Sequence, residues 1–372
     1  MKKRLLAWLL SLAMLLTVGA VAAAETNPNA GLGYYPGTSE KGWISVECST
    51  MSKMNPFLQT YSTEFSVSRH IWDCLVKLSA EDNSIVPAAA ESWETSEDGM
   101  TWTFHIRPGM KWVNSKGEVI GDVTANDFVY SWRRLVDPAT ASPYNTIIAM
   151  VKNANEIIAG ELPKEELGVA APDEHTFEVT LTYNCPYFLD ICAFPNCMPL
   201  REDIVEGNAT WTQDPSTYVT NGAFKMASWT HDAEIVMVPN ENYYDASSIT
   251  LEKLTFKLMD DANAQLTAFK NKYLDYMQNP PPDEMATLLT DGTVIPGDYL
   301  GSYYACFNNT KEPFNDPLVR KAFSLAIDRN YIVEQVTQAG EIAADAWVPV
   351  SVVDAEGTSG DDFRTVGGSY WS

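Results

Sequence analysis

The stretch from Glu91 to Arg134, ESWETSEDGMTWTFHIRPGMKWVNSKGEVIGDVTANDFVYSWRR, sets three legible elements in a fixed order. Thr101 to Arg107 alternates, with Trp102, Phe104 and Ile106 on one face and Thr101, Thr103, His105 and Arg107 on the other. That is the period of a half-buried strand, with His105 on its solvent side. Pro108-Gly109 then turns the chain. A second extended piece around Lys111-Trp112-Val113 leads through Lys116-Gly117 to Thr124-Ala125-Asn126-Asp127. Thr124 and Asp127, three residues apart, make the capping-box pattern that opens a helix. The helix carries Phe128, Val129, Trp132, Leu135 and Val136 on one stripe and stops at Asp137-Pro138. None of this is catalytic chemistry.

The first residues are a basic Met1-Lys2-Lys3-Arg4, an apolar run from Leu5 to about Val18, and Ala22-Ala23-Ala24 before Glu25. This predicts a signal peptide over 1–24, cut after Ala24. The apolar run is shorter than the roughly 20 residues a membrane span needs. No Cys stands at the cleavage site to carry a lipid, so soluble export to the periplasm or cell surface is expected.

The chain has 49 acidic and 25 basic residues, and three of the basic ones lie in the leader, leaving a formal charge of −27 without it. That balance argues against nucleic-acid or anionic-membrane binding, both of which need basic patches. The apolar fraction of 45% and the 11 Trp suffice for large cores, and the length suggests two or three domains. Cys48, Cys74, Cys185, Cys192, Cys197 and Cys306 are irregularly spaced with no CxxC. Cys185, Cys192 and Cys197 with His175 match no common zinc spacing, so no metal and no cofactor is expected. Buried free thiols or one or two disulfides are the expectation, with the pairing open.

Along the chain, Trp43 to Val46 predicts a first strand and Phe65 to Leu78 a helix with Val67, Ile71, Cys74 and Leu75 inward. Ile148 to Glu161 reads as helical, Glu174 to Leu181 as a strand, and Pro186 to Cys192 as a short helix. Tyr218 to Tyr244 turns at Asn221-Gly222 and places two strands around Thr230-His231-Asp232. Leu254, Phe256 and Leu258 alternate as another strand, feeding a helix from about Asp261 to Lys272. Asn279-Pro280-Pro281-Pro282 is a stiff connector. Tyr303 to Asn308 predicts a strand. Asp316 then caps a helix with Pro317 first, burying Leu318, Ala322, Leu325, Ala326, Ile332, Val333 and Val336 and ending near Gly340.

The order of these motifs resembles the extracytoplasmic solute-binding proteins of ABC transporters, the oligopeptide/dipeptide/nickel-binding family. The markers are Asn55-Pro56, Ala90-Glu91-Ser92-Trp93, the strand–turn–strand through Trp112, and Thr124 to Trp132. Pro143-Tyr144, Asn221-Gly222-Ala223-Phe224, Phe307-Asn308-Asn309 and Pro313 to Asp328 continue the series. The resemblance runs from about Ile44 to Arg364. It implies an α/β, two-lobed periplasmic-binding-protein-like fold of type II with an extra inserted domain. Lobe I is expected over 25–72 and 202–300, the inserted domain over 73–201, and the start of an incomplete second lobe over 301–372. By the same resemblance the chain is no enzyme. It is expected to capture an oligopeptide as a monomer and hand it to the transmembrane subunits of an ABC permease, with the cytoplasmic ATPase acting indirectly.

A receptor for varied peptides must read their shared backbone, and strand-like main-chain hydrogen bonding does this. By resemblance, Thr60, Tyr61 and Ser62 supply part of that ladder, Tyr144 and Tyr304 line the cleft, and Gln278 and Asn279 make polar contacts. Read on their own, Tyr144 after a Pro turn could cap its lobe and Tyr304 in an alternating strand could be core. The family's acidic partner for the ligand's amino terminus lies beyond the part of the family pattern that this chain reaches. Weak peptide affinity is therefore expected of the polypeptide as it stands. Gly301 stands where some relatives carry a disulfide cysteine, so that bridge is not inherited. A secreted hydrolase is the rival reading, but His70, His105, His175 and His231 sit in no nucleophile elbow, HExxH or phosphate loop. A nickel chelate, haem, cell-wall peptide or sugar would be the alternative ligand.

Overall fold

The structure is a computed structural model that describes residues 43–48, 56–59, 62–80, 82–297, 300–350, 352–353 and 362–368. The predicted leader, Asn55, Thr60 and Tyr61 lie outside the described residues, as does the Cys48 side chain. The chain divides into two compact units, one up to Gln278 and the other from Asn279.

Unit 1 opens with β1 (Trp43–Cys48), α1 (Ser62–Ile71) and the hairpin of β2 (Val76–Leu78) with β3 (Ile85–Pro87). Next come β4 (Ala90–Thr95), β5 (Thr101–Ile106), the hairpin of β6 (Lys111–Val113) with β7 (Val119–Asp122), and α2 (Ala125–Val136). A short α3 (Ala154–Ile158), β8 (Val169–Asp173), β9 (Thr176–Thr180) and α4 (Phe188–Cys192) follow. The unit closes with β10 (Phe224–Thr230), β11 (Glu234–Pro239), β12 (Lys253–Leu258) and α5 (Ala262–Lys270). Two four-stranded sheets result. One runs β1-β12-β11-β10 with β1 parallel to β12, and the other is the antiparallel β4-β5-β9-β8.

The second sheet is built by the signature segment. Phe104 and Ile106 are buried while Thr101 is exposed, as their alternation dictates. Gly109, at φ +80°, supplies the left-handed residue of the turn, a conformation nearly free only for Gly. The Asp127 carboxylate accepts the Thr124 amide at 2.8 Å and the Trp112 indole N–H at 3.1 Å. The capping box thus also fixes β6, through Trp112, to the helix. The buried stripe Phe128, Val129, Trp132, Leu135 and Val136 of α2 lies against β8 and β9, with the Trp132 ring 5.2 Å from that of Phe177. Phe104, Phe177 and Phe188 complete this aromatic core. His105 is half-exposed on the opposite face, 3.5 Å from Glu94.

Four expectations need correction. The helix predicted to Leu78 ends at Ile71, and Val76 to Leu78 pairs with β3 instead. Its cause is tertiary: Thr220 and Gly222 both donate to the Ile71 carbonyl, taking the acceptor a further helical turn would use. The helical piece from Ile148 to Glu161 shrinks to five residues of α-helix, bounded by Asn153 at φ +68° and Gly160 at φ +76°. Tyr303 to Asn308 forms no strand, because no described segment offers it a ladder.

The fourth correction concerns unit 2, which contains α6 (Pro282–Thr290) and α7 (Pro317–Ala326). Asp316 caps α7 as expected, accepting the Leu318 amide at 2.8 Å. The helix nevertheless stops at Ala326, and none of its residues is buried; Leu318 is 74% exposed. Its apolar stripe meets no described layer that could cover it, and periodicity alone cannot supply one.

Candidate functional site

The predicted ligand loop follows Pro56–Gln59, and that short stretch is held by side chains from far along the sequence. Ser142 Oγ donates to the Phe57 carbonyl at 2.6 Å, and Asn196 Nδ2 donates to the Pro56 carbonyl at 2.6 Å. Ser68, on α1, donates its hydroxyl to Gln59 Oε1 at 2.7 Å. Phe57, Gln59, Ser68, Ser142 and Asn196 are all buried. Buried hydrogen bonds of this kind fix backbone position, because breaking one leaves an unsatisfied group with no water to replace the partner.

The same pins gather the aromatics. Ser142 Oγ also accepts the Tyr144 amide at 3.2 Å, so one hydroxyl joins Tyr144 to the stretch before the loop. The half-buried Tyr144 ring lies 5.3 Å from Phe194 and 6.1 Å from Phe65, and Phe65 and Phe194 are 5.4 Å apart. Phe65 sits one turn into α1, whose first residue is Ser62. The structure thus brings the start of α1 and Tyr144 together at one aromatic cluster, with a rigid turn beside it.

The far end of α1 is equally fixed. Gly222 donates to the Ile71 carbonyl at 2.9 Å, and a Cβ on Gly222 would fall 2.7 Å from the Ile71 carbonyl carbon and oxygen. Only Gly permits that approach. Asn221 accepts the Asp73 amide at 3.1 Å and donates to the Asp73 carbonyl at 3.2 Å. The Asp73 carboxylate accepts the Tyr243 hydroxyl at 2.8 Å, while Lys77 donates to Tyr243 at 3.3 Å and to Tyr244 at 3.2 Å. Arg107 stacks on the Tyr244 ring at 4.2 Å. Burial pushes the Asp73 carboxyl above the usual carboxylate range, although Lys77 opposes the shift.

Of the other predicted residues, one ends unit 1 and two belong to unit 2. Gln278 is exposed, two residues beyond Tyr276, which bridges in parallel to Val46. Asn279 and Tyr304 belong to unit 2, where Tyr304 is 56% exposed with its ring 4.5 Å from Trp347. Cys74, Cys185, Cys192 and Cys197 are free and buried, and Cys306 is free and exposed. Among the described residues no group of three or more His, Cys, Asp or Glu is arranged to hold a metal. None of their helices is long and apolar enough to cross a membrane.

The sequence reading missed Ser142 and Asn196. Asn196 did leave a signal: it is the lone polar side chain in Ala193-Phe194-Pro195-Asn196-Cys197-Met198, and a polar group in an apolar run needs a buried partner. Ser142 left none, since a Ser before Pro is ordinary turn chemistry.

Comparison with known proteins places this geometry. Residues 84–364 match the model of the bacterial extracellular solute-binding proteins, family 5. The periplasmic oligopeptide-binding protein OppA of Salmonella typhimurium is 36% identical over 309 residues, covering 81% of this chain and 55% of the relative. The dipeptide-binding protein DppE of Bacillus subtilis is 34% identical, covering 80% of this chain and 53% of the relative. A crystal structure of Haemophilus influenzae OppA in complex with the peptide RPPGFSPFR superposes with a TM-score of 0.77 at 33% identity, covering 84% of this chain and 61% of that one. The chain therefore shares, incompletely, the α/β fold of the two-lobed periplasmic peptide-binding proteins, as expected, and it spans about half the length of the curated relatives it matches.

Proposed function

The chain belongs to the bacterial extracellular solute-binding proteins of family 5, and from that membership we propose that it is the extracytoplasmic solute-binding component of an ABC importer. It captures oligopeptides or dipeptides through backbone hydrogen bonds and passes them to the permease subunits in the membrane; it performs no catalysis. Thr60 to Ser62, Tyr144, Gln278, Asn279 and Tyr304 are the ligand contacts in this reading, on lobe limits of 25–72 with 202–300, 73–201 and 301–372.

One observation carries the proposal. The stretch leading into 60–62 is held by Ser142 and Asn196 beside the Tyr144–Phe65–Phe194 cluster. A rigid main-chain edge next to an adaptable aromatic surface suits a ligand read by its backbone rather than its side chains. Pre-organisation lowers the ordering cost of binding. The names of the relatives, which bind oligopeptides and dipeptides, point the same way.

Titration calorimetry of the purified chain with tri- to pentapeptides at millimolar concentration tests the reading. A weak, saturable isotherm with a ligand-dependent rise in thermal midpoint is expected. Hydrolysis of the peptides, or no heat and no shift with any of them, would sink it.

A further inference from the structure

Four buried free cysteines of unit 1, Cys74, Cys185, Cys192 and Cys197, have no part in the binding just described. Two of them converge on one atom. The Cys74 thiol donates to the Phe194 carbonyl at 3.4 Å, and the same oxygen accepts the Cys197 amide at 2.8 Å. The Cys74 side chain and the Cys197 backbone therefore meet at one carbonyl oxygen, although they are distant in sequence. Burial is the main cause of the raised Cys74 pKa, and Cys197 is the neighbour that contributes most to it. Cys185 hydrogen-bonds Tyr187, and Cys192 lies near enough to Cys197, Cys74 and Cys185 to be raised by all three, so it is the competing partner.

We propose that Cys74 and Cys197 are a redox pair that closes to a disulfide when the chain folds, or opens locally, in an oxidising compartment. The compartment is the export destination given above, and the pairing itself rests on geometry alone. One cysteine thiolate attacks a small disulfide oxidant of the glutathione type, forming a mixed disulfide and expelling one glutathione thiolate. The second cysteine thiolate then attacks the protein sulfur of that mixed disulfide and expels the other. Two protein thiols are oxidised, one glutathione disulfide is reduced to two thiols, and the two protons pass to the leaving thiolates. Burial, which disfavours the thiolate in the folded chain, makes opening or folding the moment of reaction.

The bond would tie the connection leaving α1 to the turn that carries Asn196 and follows Phe194. Both ends of that tie support the candidate site. Oxidation would therefore brace the pinned turn and the aromatic cluster together.

The test uses the 372-residue chain, purified reduced and incubated with oxidised glutathione with and without mild urea. It is then alkylated under denaturing conditions and digested without reductant. Expected are a linked peptide pair joining Cys74 to Cys197 and two fewer alkylatable thiols, both reversed by reduction. Cys74→Ser should abolish the linked pair and free Cys197, and Cys306→Ser should leave it intact. Should Cys74→Ser be insoluble, Cys197→Ala gives the same loss from the other side. Pairing of Cys197 with Cys185 or Cys192, or retention of every thiol after treatment in urea, overturns the proposal. The readout needs no ligand, so its failure is distinct from a failure of peptide binding.

Discussion

Ser142 holds Phe57: its hydroxyl donates to the Phe57 carbonyl at 2.6 Å while accepting the Tyr144 amide at 3.2 Å. This single side chain couples the turn before the candidate ligand loop to the aromatic residue expected in the cleft. Ser142→Ala leaves a buried carbonyl and a part-buried amide without that partner. A loss of about 1–3 kcal/mol in urea unfolding is expected, with weaker peptide binding. An unchanged midpoint and unchanged affinity would show that the pin is dispensable.

Tyr144 itself contributes a ring to the cluster with Phe65 and Phe194. Tyr144→Ala should weaken peptide binding about tenfold, or about 1.4 kcal/mol, while Tyr144→Phe keeps most of the affinity. Equal isotherms for the wild type and the alanine variant would remove Tyr144 from the site.

Among the described glycines of unit 1, Gly222 is the one at which an added Cβ would come nearest to backbone. A methyl group there would overlap the Ile71 carbonyl, and backbone cannot swing aside as a long side chain does. Gly222→Ala should cost about 1–3 kcal/mol, read as a lower midpoint or a fall in soluble yield. Wild-type stability in that variant would mean α1 is free to shift.

Asp73 gives a signed pH dependence. Its folded-state pKa is raised by burial, so the folded chain holds the proton more tightly than the unfolded chain does. Stability from this group is full below the ordinary Asp value of about 3.9 and is lost as pH climbs through the raised value. The groups facing it are Lys77, Tyr243, Tyr244 and Arg107. Asp73→Asn does not titrate and keeps an acceptor for Tyr243. The stability of the wild type relative to this variant should therefore fall as pH rises from about 4 toward neutrality. Urea melts across that range measure it, and a gap that is flat or moves the opposite way contradicts the assignment.

Leu318 separates two readings of α7. The helical period predicts a buried residue, but the structure leaves it 74% exposed. Leu318→Ser should change the stability of this chain by no more than about 0.5 kcal/mol. A loss above about 2 kcal/mol would return Leu318 to a core.

Where interactions are local, the sequence predicted the outcome. The alternation from Thr101 to Arg107, the Thr124–Asp127 cap and the Asp316-Pro317 helix start all depend on residues within a few positions of one another. The residue spacing sets which face is apolar, and the cap satisfies nearby amides, so these elements are legible before any fold is known. The candidate site was legible only as points: Tyr144 by resemblance, and 60–62 as a loop whose Thr60 and Tyr61 fall outside the described residues. Its supports, Ser142 and Asn196, act across 85 and 140 positions and carry no short-range pattern.

The sequence by itself determined six of the eight strands of the two sheets, the capped helix and the family to which they belong; β4 and β8 were not legible as strands. Tertiary structure decided where α1 stops, because Thr220 and Gly222 compete for the Ile71 carbonyl, a contest invisible to helix propensity. It also decided that the stripe of α7 stays exposed and that Cys74 meets Cys197 at a shared oxygen. The physical reason is the same in each case. Periodicity and capping are properties of neighbours along the chain, whereas burial and long-range hydrogen bonding depend on which distant segment arrives to satisfy them.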